Sequence, residues 1–257
     1  MTAAAGAWWL SPHLDDAALS GGGAIAAAVQ AGLRQRVLTA CTGAPDPMAL
    51  SPFAAELHRR WGLAPEQVLE VRQSEEREAM RILGAEQRGL GLLDAVYRRP
   101  DLYWDMATLL GGPADGDPLP LELGLAIAPE LSAWPQARIY VPLGVGGHAD
   151  HQQAFLVGLR LAREGREVRF YEDLPYALRP GELERRLQGL GVELVPELVD
   201  ISGTIELKIA AIAAYSSQLP SLFGSAAAMP EAIVGHARAL GAAGGLAYAE
   251  RQFRHER

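Results

Sequence analysis

The chain has 257 residues, of which 49% are hydrophobic and 21% charged, a composition that excludes disordered, fibrous and collagen-like proteins. The formal net charge of −8 argues against a nucleic-acid partner, and the chain has no run of about 18 uncharged apolar residues that predicts a membrane helix. A single cysteine, Cys41, cannot form an internal disulfide, which fits a reducing cytoplasm.

Hydrophobic runs and breaker residues predict strands and helices that alternate along the chain. In chain order, the predicted elements are a strand at 7–10, a helix at 17–31, a strand at 36–42, a helix at 52–62, a strand at 68–71, a helix at 74–83, a strand at 89–93, a loop at 111–120, a helix at 121–134, a strand at 138–143, a helix at 150–164, strands at 168–171 and 192–199, a helix at 203–215 and a loop at 216–230.

Strands that are continuous apolar runs, alternating with helices, are typical of a parallel sheet covered on both faces. We therefore predict an α/β fold, a Rossmann-like three-layer sandwich with a mostly parallel sheet and helices on both faces. The chain has no internal repeat and no convincing linker, so residues 1–257 are predicted to form a single domain. Lys208, the only lysine, lies in a predicted helix and is interpreted as a surface charge.

Two polar motifs stand where a predicted strand passes into a helix, S-P-H-L-D-D at 11–16 and G-H-A-D-H at 147–151. Ligands of open parallel sheets bind beyond the carboxyl ends of the strands, so the motifs can meet although 132 positions (148 minus 16) separate them. Imidazole and carboxylate groups are good zinc ligands, and three protein ligands leave one position open for catalysis. Together the motifs predict a divalent-metal site.

Each motif alone also has a structural interpretation. Asp15 and Asp16 ahead of a helix are typical of an N-cap, where acidic side chains are favourable. His148 and His151, at helical spacing, are typical of a solvated helix face. In the metal hypothesis, one carboxylate of the Asp pair binds the ion while its neighbour stays free as a base.

The motifs resemble the signature of the PIG-L/LmbE-like family of zinc-dependent N-acetylglucosaminyl deacetylases, a near-N-terminal H-P-D-D-E and a distal H-x-D-H. Here the signature reads H-L-D-D-A at 13–17 and H-A-D-H at 148–151. The resemblance covers roughly residues 7–253 and includes these further segments: R-x-x-E-x-x-x-A-x-x-x-L-G at 72–84, L-L-D at 92–94, Y-E-D-L-P-Y at 171–176, Lys208, and Y-S-S-Q at 215–218.

The resemblance implies that His13, Asp16 and His151 hold a zinc ion and that Asp15 is the general base. The chemistry of these residues agrees, since a zinc-bound water has its pKa lowered to about 7 and a free carboxylate beside it can take the proton. A site with two histidines and one aspartate also accepts Fe²⁺, Co²⁺ or Mn²⁺.

Further roles follow from the same resemblance. Protonated His148 is expected to stabilise the oxyanion or to protonate the leaving amine, with Asp150 orienting its ring. From residue chemistry, Arg72 and Asp94 are candidates for hydrogen bonds to sugar hydroxyls, because both types offer directional partners to a polyol. An ion pair at the surface or between elements is the alternative for both.

Several positions depart from the family pattern. Leu14 replaces a Pro, which affects the stiffness of the loop, and Ala17 replaces a Glu, which puts supporting hydrogen bonds in question. Gly146 and Gly147 precede His148 where some members carry a Tyr that closes over the substrate. Without that Tyr, we expect oxyanion stabilisation to come from His148 and the metal alone.

The resemblance therefore predicts a cytoplasmic, metal-dependent hydrolase that removes an N-acetyl group from an amino-sugar-containing small molecule by attack of a zinc-bound water. Its expected partner is an N-acetylated glycoside or related metabolite, with no nucleic acid and no membrane, and the sequence leaves homo-oligomerisation open. Two alternatives stay open, an amidase acting on a non-sugar N-acyl metabolite and a non-catalytic sugar-binding member.

Overall fold

The computed structural model describes residues 6–256, in which strands and helices alternate along most of the chain. The strands in this range are β1 Gly6–Ser11, β2 Arg34–Thr39, β3 Glu86–Gly89, β4 Arg138–Pro142, β5 Val168–Tyr171, β6 Leu194–Asp200 and β7 Ala249–His255. The helices are α1 Asp16–Gln30, α2 Pro52–Trp61, α3 Pro65–Leu83, α4 Ala95–Arg98, α5 Met106–Leu109, α6 Leu119–Ala133, α7 Ala149–Arg163, α8 Glu182–Gly189, α9 Ile205–Ala213, α10 Leu219–Phe223 and α11 Met229–Gly244. Within the same range, no helix combines the length and hydropathy needed to cross a membrane.

The strands form one sheet in the order β3-β2-β1-β4-β5-β7-β6. The five strands from β3 to β5 are parallel, whereas β7 runs antiparallel to both of its neighbours. From β1 the chain first adds β2 and β3 on one side, and it then returns to add β4 and β5 on the other. A ligand crevice opens at such a reversal, beyond the carboxyl ends of β1 and β4.

Different helices cover the two faces of the sheet, because successive side chains of a strand point to opposite sides. Trp8 belongs to a buried cluster with Leu123 of α6 and Phe155 of α7. Trp9 belongs to a second cluster with Ile25 of α1, to which α3 and α9 also contribute. The predicted sandwich, with a mostly parallel sheet between two layers of helices, is confirmed.

Several predicted elements are wrong. Residues 68–71, predicted as a strand, lie inside α3, whose buried apolar positions recur at helical spacing. The strand predicted at 89–93 is β3, which ends at Gly89 and has four exposed residues instead of an apolar run. The loop predicted at 216–230 contains α10, and α8, α11 and β7 were not predicted.

Lys208 is a buried charge and not the predicted surface charge. Its side chain is 1% exposed, and its Nζ donates a hydrogen bond of 2.6 Å to Glu250 Oε1. The Glu250 carboxylate also accepts the backbone N–H groups of Gly23 and Ala24, each at 2.9 Å. This ion pair therefore joins α9, β7 and α1 on the inside of the molecule, where a lone charge is costly and a paired one is tolerated.

Candidate active site

The two polar motifs meet where the strand order reverses. His13 follows β1, while His148 and His151 lie at the start of α7, which follows β4. His13 and His148 line a cavity of about 240 Å³. The motifs therefore share one site beyond the carboxyl ends of the strands, as the topology of a parallel sheet leads one to expect.

Three ligand-type atoms form a compact group beside this cavity, and we call them the donor triangle: His13 Nδ1, Asp16 Oδ2 and His151 Nε2. His13 Nδ1 lies 3.3 Å from Asp16 Oδ2 and 3.3 Å from His151 Nε2, and His151 Nε2 lies 3.3 Å from Asp16 Oδ2. Tetrahedral zinc, with bonds of about 2.0–2.1 Å, places neighbouring ligand atoms about 3.3 Å apart. The triangle thus has the size that a small divalent ion requires.

A buried carboxylate orients each imidazole of the donor triangle. His151 Nδ1 lies 2.7 Å from Asp173 Oδ1, and His13 Nε2 lies 3.1 Å from Asp150 Oδ2. Because a carboxylate accepts, these two nitrogens carry the protons, which leaves His151 Nε2 and His13 Nδ1 to face a metal ion. Metal-ligating histidines are commonly supported in this way.

The charges around the donor triangle also favour a cation. Burial lowers the pKa of His151, but the Asp16 and Asp173 carboxylates more than offset burial and raise it to about 10. Burial raises the pKa of Asp16, but His151 and His13 outweigh burial and hold it well below its usual range. Both shifts mean that the site draws positive charge to its centre, so the residues fit a metal cofactor.

Two other groups of donors in the described part of the chain are close enough to share an ion. Within each group the ligand atoms lie no more than 4.8 Å apart. The first group consists of His13, His148 and His151, and the second of His13, Asp94, His148 and Asp150. Asp150 already accepts hydrogen bonds from Arg98 at 2.7 Å and from the Ala95 N–H at 3.0 Å. The donor triangle is the more compact set and therefore the better match to a single small ion.

Asp15 lies beside the donor triangle. Its backbone has φ 146° and ψ −32°, the one positive φ among the described non-glycine residues, and its side chain makes no N-cap hydrogen bond to α1. The N-cap interpretation therefore does not apply to Asp15. Its carboxylate lines the cavity 3.5 Å from the Arg72 guanidinium, and burial, followed by the charge of Asp16, raises its pKa to about 7. Backbone strain of this kind is concentrated at functional sites.

His148 lines the cavity with its ring centroid 4.7 Å from that of His13. Its Nδ1 accepts the backbone N–H of Asp150 at 3.2 Å, which places the proton of the neutral ring on Nε2. Burial, followed by the charge of His13, lowers the pKa of His148 well below its usual value. The protonated form expected from the sequence is thus disfavoured. The Asp150 carboxylate does not orient the His148 ring as expected, because it bonds His13 and Arg98 instead.

The two side chains predicted to bind sugar hydroxyls, Arg72 and Asp94, both line the cavity. Arg72 donates to the Leu14 carbonyl at 3.0 Å, while its Nε is buried without a partner in the described part of the chain. Asp94 accepts the Val96 N–H at 3.2 Å, and its Oδ2 lies 3.3 Å from His13 Nε2. Arg72 also lies 3.5 Å from the Asp15 carboxylate, so both residues meet the alternative of an ion-pair contact between elements, and their binding of sugar stays a prediction.

Sequence reasoning missed Arg98 and Asp117, which support the site from behind. Arg98 donates to Asp150 at 2.7 Å and to both oxygens of Asp117 at 2.7 and 2.8 Å. It thereby holds the carboxylate that orients His13. No local motif indicated this role, because the partners Asp117 and Asp150 lie 19 and 52 positions away along the chain.

Tyr176 forms one wall of the cavity. Its ring lies edge-on to the His151 ring, with centroids 5.8 Å apart, and packs on Gly146, where an added Cβ would lie 2.3 Å from the ring. A Cβ on Gly147 would lie 2.2 Å from the Leu110 carbonyl oxygen, and both glycines have φ near +85° (+85° and +83°). The departure from the family pattern at these two positions therefore has a steric reason.

Comparison with known proteins assigns the family. Residues 9–162 match the family model described as PIG-L: GlcNAc-PI de-N-acetylase. The chain belongs to the PIG-L family. The matched segment contains both polar motifs, and the resemblance inferred from them is confirmed.

Two curated relatives of this PIG-L chain are 2'-N-acetylparomamine deacetylases. The protein from Streptomyces fradiae is 35% identical over 215 residues, which cover 81% of this chain and 72% of the relative. The protein from Niallia circulans is 30% identical over 241 residues, which cover 85% and 82%. Among solved structures, the zinc-inhibited form of the teicoplanin deacetylase Orf2 matches with a TM-score of 0.80 at 28% identity, covering 96% of each chain. This PIG-L member is therefore an N-deacetylase, and the prediction of a metal-dependent hydrolase is confirmed.

Proposed function

We propose that the protein hydrolyses the acetamide of an N-acetylated amino sugar in a small glycoside, with Zn²⁺ held by His13, Asp16 and His151. The observation that carries the proposal is the donor triangle, three atoms 3.3 Å apart, with the Asp15 carboxylate in the adjoining cavity. When bound, the ion supplies Lewis acidity that activates water and polarises an amide carbonyl. Fe²⁺, Co²⁺ and Mn²⁺ suit the same donors, and availability decides among them.

Asp15 is the general base in this proposal. Its carboxylate makes no helix cap and lies 3.5 Å from the Arg72 guanidinium, so it is available to accept a proton from the attacking water. The water oxygen bonds to the acetyl carbon as this proton moves to Asp15. Asp15 then returns the proton to the nitrogen as the C–N bond breaks, which releases the free amine and acetic acid, and the acid ionises to acetate in solvent.

His148 is the hydrogen-bond donor to the acetyl oxygen. The Asp150 N–H on Nδ1 leaves the His148 proton on Nε2, so a neutral imidazole suffices to donate as negative charge develops on that oxygen. Asp150 acts as a positioning residue, because its carboxylate orients His13.

Arg72 and Asp94 are proposed to bind the hydroxyls of the sugar. Arg72 has a buried Nε without a partner in the described part of the chain, and the Asp94 side chain is 16% exposed at the cavity. A directional donor and an acceptor at one cavity suit a polyol. An N-acyl metabolite without a sugar, the alternative substrate, leaves both groups unused.

The organisation and location of the chain are proposals as well. Since all seven described strands join one sheet, we propose that residues 1–257 form a single domain. A cytoplasmic location stays a prediction from the single cysteine.

Acetate release by the purified, zinc-loaded protein tests the proposed function. The substrates are 2'-N-acetylparomamine, p-nitrophenyl N-acetyl-β-glucosaminide and a set of N-acetylated amino acids. We expect kcat/KM for a sugar substrate to exceed that for the amino acids by about 100-fold or more. Elemental analysis should find one metal ion per chain. Equal rates on both classes would support the amidase, and failure to release acetate from any of them would contradict the proposed reaction.

A further inference from the structure

Tyr176 is half-buried and lines the cavity, and its hydroxyl is not bonded to the rest of the described fold. The ring lines the cavity together with Asp15 and His148, and its hydroxyl makes no hydrogen bond within residues 6–256. Buried tyrosines usually place the hydroxyl against a partner. Here Tyr171 donates to the Leu10 carbonyl at 2.8 Å and Tyr103 donates to Asp117 at 2.8 Å. Tyr176 differs from these two fully buried residues in that it is half-buried and lines the cavity.

The position of Tyr176 is fixed relative to the donor triangle. It follows Asp173, whose carboxylate holds His151 Nδ1 at 2.7 Å and whose backbone carbonyl accepts the Ala177 N–H at 3.0 Å. The ring is confined between the His151 ring on one side and the backbone of Gly146 on the other. A ring held by its surroundings presents its donor at little cost in conformational entropy.

We propose that Tyr176 is a second hydrogen-bond donor to the acetyl oxygen, acting beside His148 in the reaction proposed above. A developing oxyanion is stabilised most when donors are already in place before charge appears. The phenol meets this requirement because its ring is confined beside a proposed metal ligand at the wall of the cavity. The alternative role is that of an apolar wall, to which the hydroxyl contributes nothing.

Tyr176→Phe separates the two roles, since it keeps the ring and removes the hydroxyl. With p-nitrophenyl N-acetyl-β-glucosaminide we expect kcat to fall by about 10- to 100-fold, while KM stays within about twofold and metal content is unchanged. On the N-trifluoroacetyl analogue, the kcat of the variant should fall distinctly less, because fluorine withdraws charge from the oxyanion and weakens it as a hydrogen-bond acceptor. A kcat within about twofold of wild type on both substrates, or equal losses on the two, would overturn the proposal.

Acetohydroxamate binding gives a readout that does not depend on turnover. Its oxygens stand in for those of the acetyl group and the attacking water, so Tyr176→Phe in the zinc-loaded protein should weaken its binding by about five- to tenfold. Calorimetry measures both dissociation constants. Equal affinities in the two proteins would contradict a hydrogen bond from the phenol.

Tyr248→Phe is the matched control. Tyr248 packs against Arg238, with the guanidinium carbon 5.8 Å from its ring, and it does not line the cavity. Its loss of a hydroxyl should leave kcat and acetohydroxamate binding unchanged. The proposed substrate class would be rejected, and the role of Tyr176 kept, by two results together. The wild-type protein would release no acetate from any substrate of the panel, and the Tyr176→Phe variant would bind acetohydroxamate more weakly than wild type. If the wild-type protein is active and the Tyr176→Phe variant keeps its kcat and acetohydroxamate affinity, the role of Tyr176 is rejected and the proposed function is kept.

Discussion

Asp15, the proposed base, lies beside the donor triangle in an unusual backbone conformation. Its φ of 146° and ψ of −32° cost on the order of 1–3 kcal/mol and persist only where the surroundings hold them. Two short hydrogen bonds flank it, from the His13 N–H to Asp16 Oδ2 at 2.8 Å and from the Ala17 N–H to Ser11 Oγ at 3.1 Å. Asp15 therefore stands at the N-cap position of α1 without capping it, and its side chain lines the cavity while its neighbour Asp16 joins the donor triangle.

Asp15→Asn should preserve the site but stop proton transfer. The amide has the size of the carboxylate and cannot act as the base, so kcat is expected to fall by about 10²- to 10⁴-fold with one metal ion per chain retained. Acetate release and elemental analysis measure the two quantities. Asp115→Asn, in an exposed loop, is the control and should keep wild-type turnover. Full activity of Asp15→Asn would remove Asp15 from the role of base.

Asp173→Asn should act on metal affinity instead. Asp173 Oδ1 holds His151 Nδ1 at 2.7 Å, and Oδ2 accepts the N–H groups of Gly144 at 2.7 Å and Val145 at 3.0 Å. Loss of the charge makes His151 a weaker ligand, so the zinc dissociation constant should rise by about 10- to 100-fold in a chelator competition. Asp200→Asn, at the exposed end of β6, is expected to bind zinc normally. If both variants kept wild-type affinity, the support assigned to Asp173 would be wrong.

At the scale of elements, the Lys208–Glu250 pair fixes α9 and β7 against α1. The two side chains are 1% and 4% exposed, and Glu250 also accepts the two backbone N–H groups of α1. A buried ion pair need not add much stability over an apolar pair, but removal of one partner leaves the other charge buried and unpaired, which is costly. The hydrogen bonds to α1 reduce this cost without cancelling the charge.

Lys208→Met is therefore expected to lower the free energy of unfolding by about 3–5 kcal/mol near neutral pH. Urea unfolding at fixed zinc concentration measures the loss. Arg81→Met breaks the Arg81–Glu78 pair of α3, whose side chains are 71% and 49% exposed, and should leave stability close to wild type because solvent screens that pair. Similar losses in the two variants would show that burial of Lys208 has no special energetic consequence.

The elements that carry the site could be predicted, as could the edge strand β6, while β3 at the other edge and the antiparallel strand β7 could not. β1, β4 and β5 are apolar runs because helices cover both of their faces, so composition marks them. β3 reads E-Q-R-G, and β7 reads A-E-R-Q-F-R-H, so neither contains an apolar run. Pairing with a neighbouring strand holds these segments in place, and a single sequence window contains no information about that pairing.

At the scale of the whole molecule, the site divides into local and long-range parts. The proposed ligands and base lie in two contiguous motifs, so their residue types alone indicated metal chemistry. The supporting contacts depend on convergence of distant segments, such as Arg98 on Asp150 and Tyr176 on Gly146. The expectation that His148 and the metal alone stabilise the oxyanion considered only the motif around His148. The proposed second donor, Tyr176, lies 28 positions further along the chain (176 minus 148).

The charge at the mouth of the cavity differs in sign from the charge of the molecule. The formal net charge is −8, yet the cavity lining includes two exposed arginines, Arg60 and Arg179. Arg60 is paired with Glu56 at 3.0 Å, whereas Arg179 has no ion pair within residues 6–256. Apolar side chains accompany them, among them Trp61 and Met106. The acidic residues of the lining are Asp15, Asp16 and Asp94, next to the donor triangle, where a bound metal ion would offset their charge. The mouth therefore suits an apolar, neutral or anionic aglycone and disfavours one with several ammonium groups.

Substrate preference should follow the sign of this charge. We expect a neutral N-acetylglucosaminide with an alkyl or aryl aglycone to have a higher kcat/KM than an N-acetylated aminoglycoside with free ammonium groups. Arg179→Glu should shift the ratio of the two values toward the aminoglycoside by about fivefold or more, since one charge near the ligand is worth about 1 kcal/mol even in water. The shift should shrink as salt is raised from about 0.05 to 0.5 M, because screening shortens the reach of exposed charges. Arg163→Glu, on the exposed last turn of α7, reverses the same charge away from the cavity and should leave the ratio unchanged. If Arg179→Glu left the ratio of the two kcat/KM values unchanged, or if Arg163→Glu changed it equally, the mouth would not select its aglycone by charge.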